Sequence, residues 1–443
     1  MKPELMLEAM LNLPLLRAPK VSRDGKWIAW TWFRTGPAAD VYYAPTNGSA
    51  APTRLTETSD DTWLASWTPD SHAVLVAQDR DGDERYQLFR VNIKNPEMQP
   101  LTEAAPNFFL RGGQLHPNGH WLVYAANFDV VSGEEIEPTW VYRHDLESGE
   151  RVVLAQPEKP CYYAPRLNHA GTHILYTRKD RHPAGRQIWL VDIEGQEDRE
   201  IINCGPSSKV YASWFPDNQR VVVLAETETH RRLGVWSLSD EVLHWLIDDP
   251  ARNIEAAFVP PNNDHIAVLE VQQARRQASF VDPDTGEETT LPESPMNLTL
   301  LAPVESGEWV ALAYNSRQPD DLVRLSLEDP QLESTVSLTR VWERTALKPS
   351  DLSPAEDFRW SATDGLEIQG WLYRTAGEAK GTIIYVHGGP TYHSEDWINS
   401  QLQFFVARGF NVLDVNYRGS TGFGLNFQDA IKAEGWGGQE QED

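Results

Sequence analysis

Two cysteines, Cys161 and Cys204, are all the chain contains, which argues against a disulfide-stapled secreted module and leaves no thiol spacing for a metal. Buried free thiols in a reducing compartment are expected, with one bridge between the two left open by sequence. Long apolar runs are missing too. Nothing approaches the ~18 consecutive apolar residues that span a bilayer, and Glu4 and Glu8 interrupt the start where a signal peptide needs a positive end and an apolar stretch. A cytoplasmic location is expected. Positive charge is scarce: 39 Lys and Arg face 65 Asp and Glu, a formal net charge of −26. No basic face is available to follow a phosphate backbone or an anionic leaflet, so neither nucleic acid nor a membrane is an expected partner.

What is present describes a folded protein. Apolar residues make up 40% and aromatics 10% of the 443 residues, too much for an acidic disordered tail and enough for two or three domains or one large repeat array. Fixed-period similarity appears early: an often aromatic residue, a polar turn, then an apolar run. It reads VSRDGKWIAWTW from Val21, WTPDSHAVLVAQ from Trp67, LHPNGHWLVYAA from Leu115 and LNHAGTHILYTR from Leu167. It returns as WFPDNQRVVVLA from Trp214, VPPNNDHIAVLE from Val259 and PVESGEWVALAY from Pro303. Between the turn residues Gly25, Ser71, Gly119, Gly171, Asn218, Asp264 and Gly307 the spacings are 46, 48, 52, 47, 46 and 43.

Each copy is followed by a second alternating segment around a turn, as in TWVYRHDLESGERVVLA, so about four short antiparallel strands form per unit. Units of that length bury their faces only against neighbours, which predicts an all-β propeller of seven blades over residues 21–340, after a helical segment over 1–20. Trp30, Trp32, Trp67, Trp121, Trp189, Trp214, Trp236 and Trp309 track the repeat and are expected to fill the wedges between blades. The Gly-His and Trp-Asp signature of WD40 units is missing; the repeats resemble those of TolB-like proteins and prolyl oligopeptidase propellers.

The period ends after Leu338, and VWERTALKPSDLSPAEDF suits a linker over 341–357. From Phe358 two alternating runs flank Asp364-Gly365, a hairpin signal. The apolar run Thr382–Val386 predicts a strand buried on both faces, leading into His387-Gly388-Gly389-Pro390. A helix is expected from about Asp396 to Arg408, then a strand in NVLDVNYRGSTGFG. Strand, helix, strand is a parallel crossover unit, placing the HGGP turn at a strand's carboxyl end, where α/β sheets present their sites.

VHGGP, ARGF, VLDVNYRGSTGFG and a WGG segment, in this order after a repeat array, resemble the prolyl oligopeptidase family of serine peptidases, nearest its acylaminoacyl-peptidase branch. The resemblance implies an α/β-hydrolase domain whose amino-terminal part is residues 358–443, and hydrolysis of short peptides that the propeller admits while excluding folded proteins. Gly388 and Gly389 are then oxyanion-hole candidates, with Gly389 preferred, because a backbone N–H must approach the substrate with no side chain in the way. His387, Pro390 and Arg418 are expected to wall the site or orient the turn.

Acyl transfer of this class needs a serine on a G-x-S-x-G elbow, then an acid and a histidine. No such elbow exists in the chain: Gly205-Pro206-Ser207-Ser208 and Gly419-Ser420-Thr421-Gly422 both have the wrong pattern. In the family the triad lies beyond the position of Asp443, so the chain is expected to be an inactive amino-terminal portion. The alternative is a propeller that binds a peptide or protein partner and carries a vestigial hydrolase stub, with the unfinished sheet edge inviting association. His116, His120, His169 and His173 sit at repeat turns without convergent acids or cysteines, so no metal and no cofactor are expected.

Overall fold

The computed structural model describes every residue except 1, 105, 162, 228, 229, 262, 305, 306, 330, 331, 390 and 434–436. After a helix, Pro3–Leu11, the chain makes seven consecutive four-stranded sheets. Each is an antiparallel meander whose strands lie in sequence order. The first begins with Leu15–Val21, ahead of the first recognisable repeat at Val21.

Alternation and turn chemistry explain the meanders. Of the seven turn residues, Gly25, Ser71, Gly119, Gly171, Asn218 and Gly307 take positive φ, a conformation that suits glycine and asparagine. Backbone bonds close the turns, as from Gly25 N to Ser22 O at 2.9 Å and from Gly171 N to Asn168 O at 3.1 Å.

Apolar clusters join each sheet to the next. Ile28, Trp30 and Trp32 of the first sheet share a cluster with Val310 and Leu322 of the seventh, so the row of sheets closes into a ring. The leading strands of the seventh, first, second and third sheets touch in turn. Trp30, Trp32 and Trp236 are fully buried, and Trp214 and Trp309 nearly so. Trp67 and Trp214 act at equivalent repeat positions: each indole N–H crosses to the preceding sheet, donating to Lys20 O at 2.8 Å and Arg166 O at 3.0 Å. Cys161 is buried, Cys204 is half-buried, and both are free thiols.

An eighth sheet follows two short 3₁₀ turns, in the order Ala355–Ser361, Glu367–Tyr373, Asn411–Asn416, Thr382–Val386. The last pair is parallel, with Thr382 opposite Asn411 and Val386 opposite Val415. The helix between them, Ser400–Ala407, starts four residues later than expected because Asn399 caps it, accepting from Gln401 N and Leu402 N. Leu402 and Val406 pack on Trp371, Tyr373 and Val412, together with Ala274 from the sixth sheet of the ring.

One expectation is overturned. Thr382–Val386 is an edge strand, not one buried on both faces: Ile384 is 58% and Val386 60% exposed. That helix covers one side of the sheet, where Ile383 and Tyr385 pack, while on the other the last helix, Leu425–Ala430, sets Phe427 against Val415 and Ile368 and leaves Ile384 and Val386 open.

Candidate functional site

Strand Thr382–Val386 delivers the chain to His387-Gly388-Gly389 at its carboxyl end. Gly389 has φ +136°, and a Cβ there would lie 3.1 Å from Thr391 N and 3.2 Å from Tyr392 Cβ. Only glycine fits without strain. A Cβ on Gly388 would meet open space. Among the described residues neither N–H donates a hydrogen bond, so both remain available to a ligand. Gly389 lies on the rim of an open cavity of about 860 Å³ floored by Phe358, Trp360, Ile384, Val386, Leu413 and Val415, on the face of the eighth sheet opposite helix Ser400–Ala407.

His387 is buried and fixed on three sides. Its ring stacks on Tyr417 with centroids 4.7 Å apart, and the Tyr417 hydroxyl donates to His387 O at 3.0 Å. Nδ1 lies 3.0 Å from Gly388 O, and Nε2 2.9 Å from Ser420 Oγ. Burial and, to a smaller extent, neighbouring His393 hold the imidazole below its usual pKa. The Ser420 hydroxyl donates to Tyr417 O at 2.6 Å, so both ring nitrogens of His387 and the hydroxyl beside it are engaged in shaping the turn. Ser420 itself is completely buried, so it cannot meet a substrate.

Arg418 does not face the cavity as a free cation. It is 4% exposed and ion-paired with Asp364 at 2.8 Å and Asp443 at 2.6 Å, tying the Asp364-Gly365 hairpin to residues after the last helix. Pro390, expected to wall the site, lies outside the described residues, as does Trp436 of the WGG segment. His116 is not simply solvated: its Nε2 lies 3.0 Å from Gly171 O, linking two neighbouring repeat turns.

Several residues at the site carry no signal of their own in sequence. The segment after the turn is clamped to the ring through Glu395, which meets His393 Nε2 at 3.0 Å, Arg276 Nη2 at 3.0 Å and the Tyr314 hydroxyl. Burial raises the Glu395 carboxyl, but His393, Arg276 and Tyr314 together outweigh it and bring the pKa down to about 2. His393 also reaches Thr421 Oγ1 at 2.6 Å, and Gln273 N, at a hairpin tip of the ring, donates to Gly422 O at 3.1 Å. The glycine turn, the 417–422 turn and the ring thus form one junction. Beneath it, burial pushes the Asp414 carboxyl up to about 7 against a single opposing bond from Ser394 Oγ at 2.7 Å.

Comparison with known proteins agrees with this arrangement. The profile of the prolyl oligopeptidase family matches residues 396–443. The chain is 24% identical to dipeptidyl aminopeptidase BIII of Pseudoxanthomonas mexicana over 98% of its length, covering 64% of that protein. It is 22% identical to the uncharacterized peptidase YuxL of Bacillus subtilis over 96% of its length, again covering 64%. It thus spans a little under two thirds of these curated relatives. Among solved structures, a puromycin-hydrolyzing peptidase of Mycobacterium tuberculosis superposes with TM-score 0.73 at 17% identity, over 97% of this chain and 70% of that one. Pyrococcus horikoshii acylaminoacyl peptidase gives 0.73 at 17%, over 99% and 70%. At such identities the likeness is one of fold.

Proposed function

We propose that this chain, a member of the prolyl oligopeptidase family, supplies the substrate-admitting ring and the oxyanion side of a serine-peptidase site acting on short peptides in the cytoplasm. The ring is a seven-bladed propeller that begins with Leu15–Val21 after the helix Pro3–Leu11, and a linker joins it to the amino-terminal part of an α/β-hydrolase domain that begins with Ala355–Ser361.

The observation that carries this reading is the Gly389 N–H: undonated, in a conformation reserved for glycine, at the carboxyl end of a parallel strand and on the rim of a cavity. A backbone donor held there stabilises the oxyanion that forms when a nucleophile attacks a peptide carbonyl. Gly388 N–H is the second candidate donor. His387 orients the turn, since both of its nitrogens are engaged.

Attack itself needs a serine, an acid and a base histidine, and these 443 residues hold no G-x-S-x-G elbow. The chain alone is therefore expected to be inert toward acyl-peptide and aminoacyl chromogenic substrates and toward a fluorophosphonate serine probe. Hydrolysis or labelling traced to this polypeptide would refute the reading. Oxyanion chemistry is tested separately in a polypeptide that also carries the elbow, where Gly389→Ala should lower kcat with little change in KM.

A further inference from the structure

The chain is strongly acidic, and the ring pairs most of its arginines: Arg54 with Asp40, Arg143 with Glu194, Arg178 with Asp198, Arg220 with Asp217 and Arg252 with Glu270. Several cations stand outside that pairing, and some of them face the axis of the ring. Among the described residues, no carboxylate forms an ion pair with Lys20, Arg23 or Arg166.

Lys20 and Arg23 converge on one cavity. Lys20 and Arg166 occupy equivalent repeat positions, each with its carbonyl bonded to an indole of the next sheet, and Arg166 lines a separate cavity with Tyr163 and Arg186. Lys20, Arg23 and His169 line a cavity of about 350 Å³ whose other walls include Trp67, Gln114 and Asn168. Its lining comes from the leading strands of four consecutive sheets, so it lies at the axis of the ring. It sits where those strands end. Their opposite ends face the eighth sheet: Asn297, which begins the leading strand of the seventh sheet, donates through Nδ2 to Asp396 O at 2.8 Å.

The electrostatics agree with the geometry. Burial, then Arg166, lowers the Lys20 ammonium, and burial, then Arg23, lowers His169. Like charges gathered without a counterion oppose one another, and an anion between them relieves both the repulsion and the desolvation. A volume of about 350 Å³ falls within the range of small-ligand sites.

We propose that this mouth of the channel, remote from the glycine turn, is an oxyanion-binding site built on Lys20 and Arg23, which takes the carboxylate end of a short peptide or free phosphate. The cavity and its charges stand apart from the catalytic reading; only the choice of a peptide as bearer of the carboxylate rests on it. In that case the ring selects for substrates by their free carboxyl terminus or acidic side chains, against the repulsion of the remaining surface.

The test is calorimetric titration of the 443-residue chain at low salt with three probes: an N-acetyl tripeptide acid, its carboxyl-terminal amide, and inorganic phosphate. The acid should bind about tenfold or more tightly than the amide, with affinity falling as sodium chloride rises, and phosphate should compete. K20Q/R23Q should weaken the acid about tenfold and leave the amide unchanged, while exposed Lys94→Gln has no effect. Phosphate binding without acid binding would assign the site to free phosphate and overturn the peptide source. Equal binding of acid and amide together with no phosphate binding, or full acid affinity in K20Q/R23Q, would overturn the site itself. Should the double variant fail to fold, R23Q alone and the acid-to-amide contrast in the unmodified chain decide. Neither readout depends on hydrolysis, so an inert or an active chain leaves this outcome distinct.

Discussion

Replacing Glu395 by glutamine keeps the shape of the side chain and removes the charge on which the junction between ring and eighth sheet is organised. Glu395 is held by His393, Arg276 and Tyr314, with Arg276 and Tyr314 carried by the sixth and seventh sheets. Its side chain is 13% exposed, so solvent screening is limited. The folded pKa of about 2 lies below the ordinary value of 4.5. A depressed carboxyl contributes stability that is complete above 4.5 and lost as pH falls through 2. Some 2.5 units at about 1.4 kcal/mol each give roughly 3 kcal/mol at pH 7, shrinking to roughly 1.4 kcal/mol at pH 3. Urea unfolding of Glu395→Gln and the unaltered chain at both pH values measures the difference, and hydrogen exchange in Glu367–Tyr373 and Ser400–Ala407 locates it in the eighth sheet. A difference below about 1 kcal/mol at pH 7, or one that does not shrink in acid, refutes the assignment.

Asp414 works in the opposite sense: its folded pKa of about 7 exceeds the ordinary 3.8, so stability is greatest in acid and falls by up to about 4 kcal/mol as pH climbs from 3.8 to 7. Asp414→Asn should flatten that slope, read as urea midpoints at pH 5 and pH 8. In the glycine pair, Gly389→Ala should cost roughly 1–3 kcal/mol by thermal melting, through positive φ and crowding against Thr391 and Tyr392. Gly388→Ala, whose Cβ meets open space, should cost clearly less. Ile384→Ser with Val386→Ser should reduce binding of a hydrophobic dye and any concentration-dependent sedimentation of the chain, because these side chains are 58% and 60% exposed on the open sheet face.

The ring was readable because its instructions are local and repeated. A glycine, serine or asparagine at positive φ recurs at Gly25, Ser71, Gly119, Gly171 and Asn218, each within a few residues of the apolar run it turns. The crossover unit of the eighth sheet was equally local: an apolar strand, a capped helix and a second strand within some forty residues. Burial of Thr382–Val386 was misread for a definite reason. β-branched residues mark a strand, but which of its faces is covered depends on what packs there, and strand composition alone does not encode that.

The site divides along the same line. Gly388 and Gly389 could be singled out because their chemistry belongs to the backbone, and glycine in sequence is a direct statement about backbone freedom. What holds the turn could not, since it is assembled from distant segments: Arg276 and Glu395 are 119 residues apart, and His387 and Ser420 are 33 apart. The same holds for Lys20 and His169, unremarkable within their own repeats, which line one cavity only because the ring brings the leading strands of several sheets to one axis. A repeat array multiplies positions that face its axis. Two such positions place the Lys20 and Arg23 charges on one cavity, where neither forms a carboxylate ion pair among the described residues.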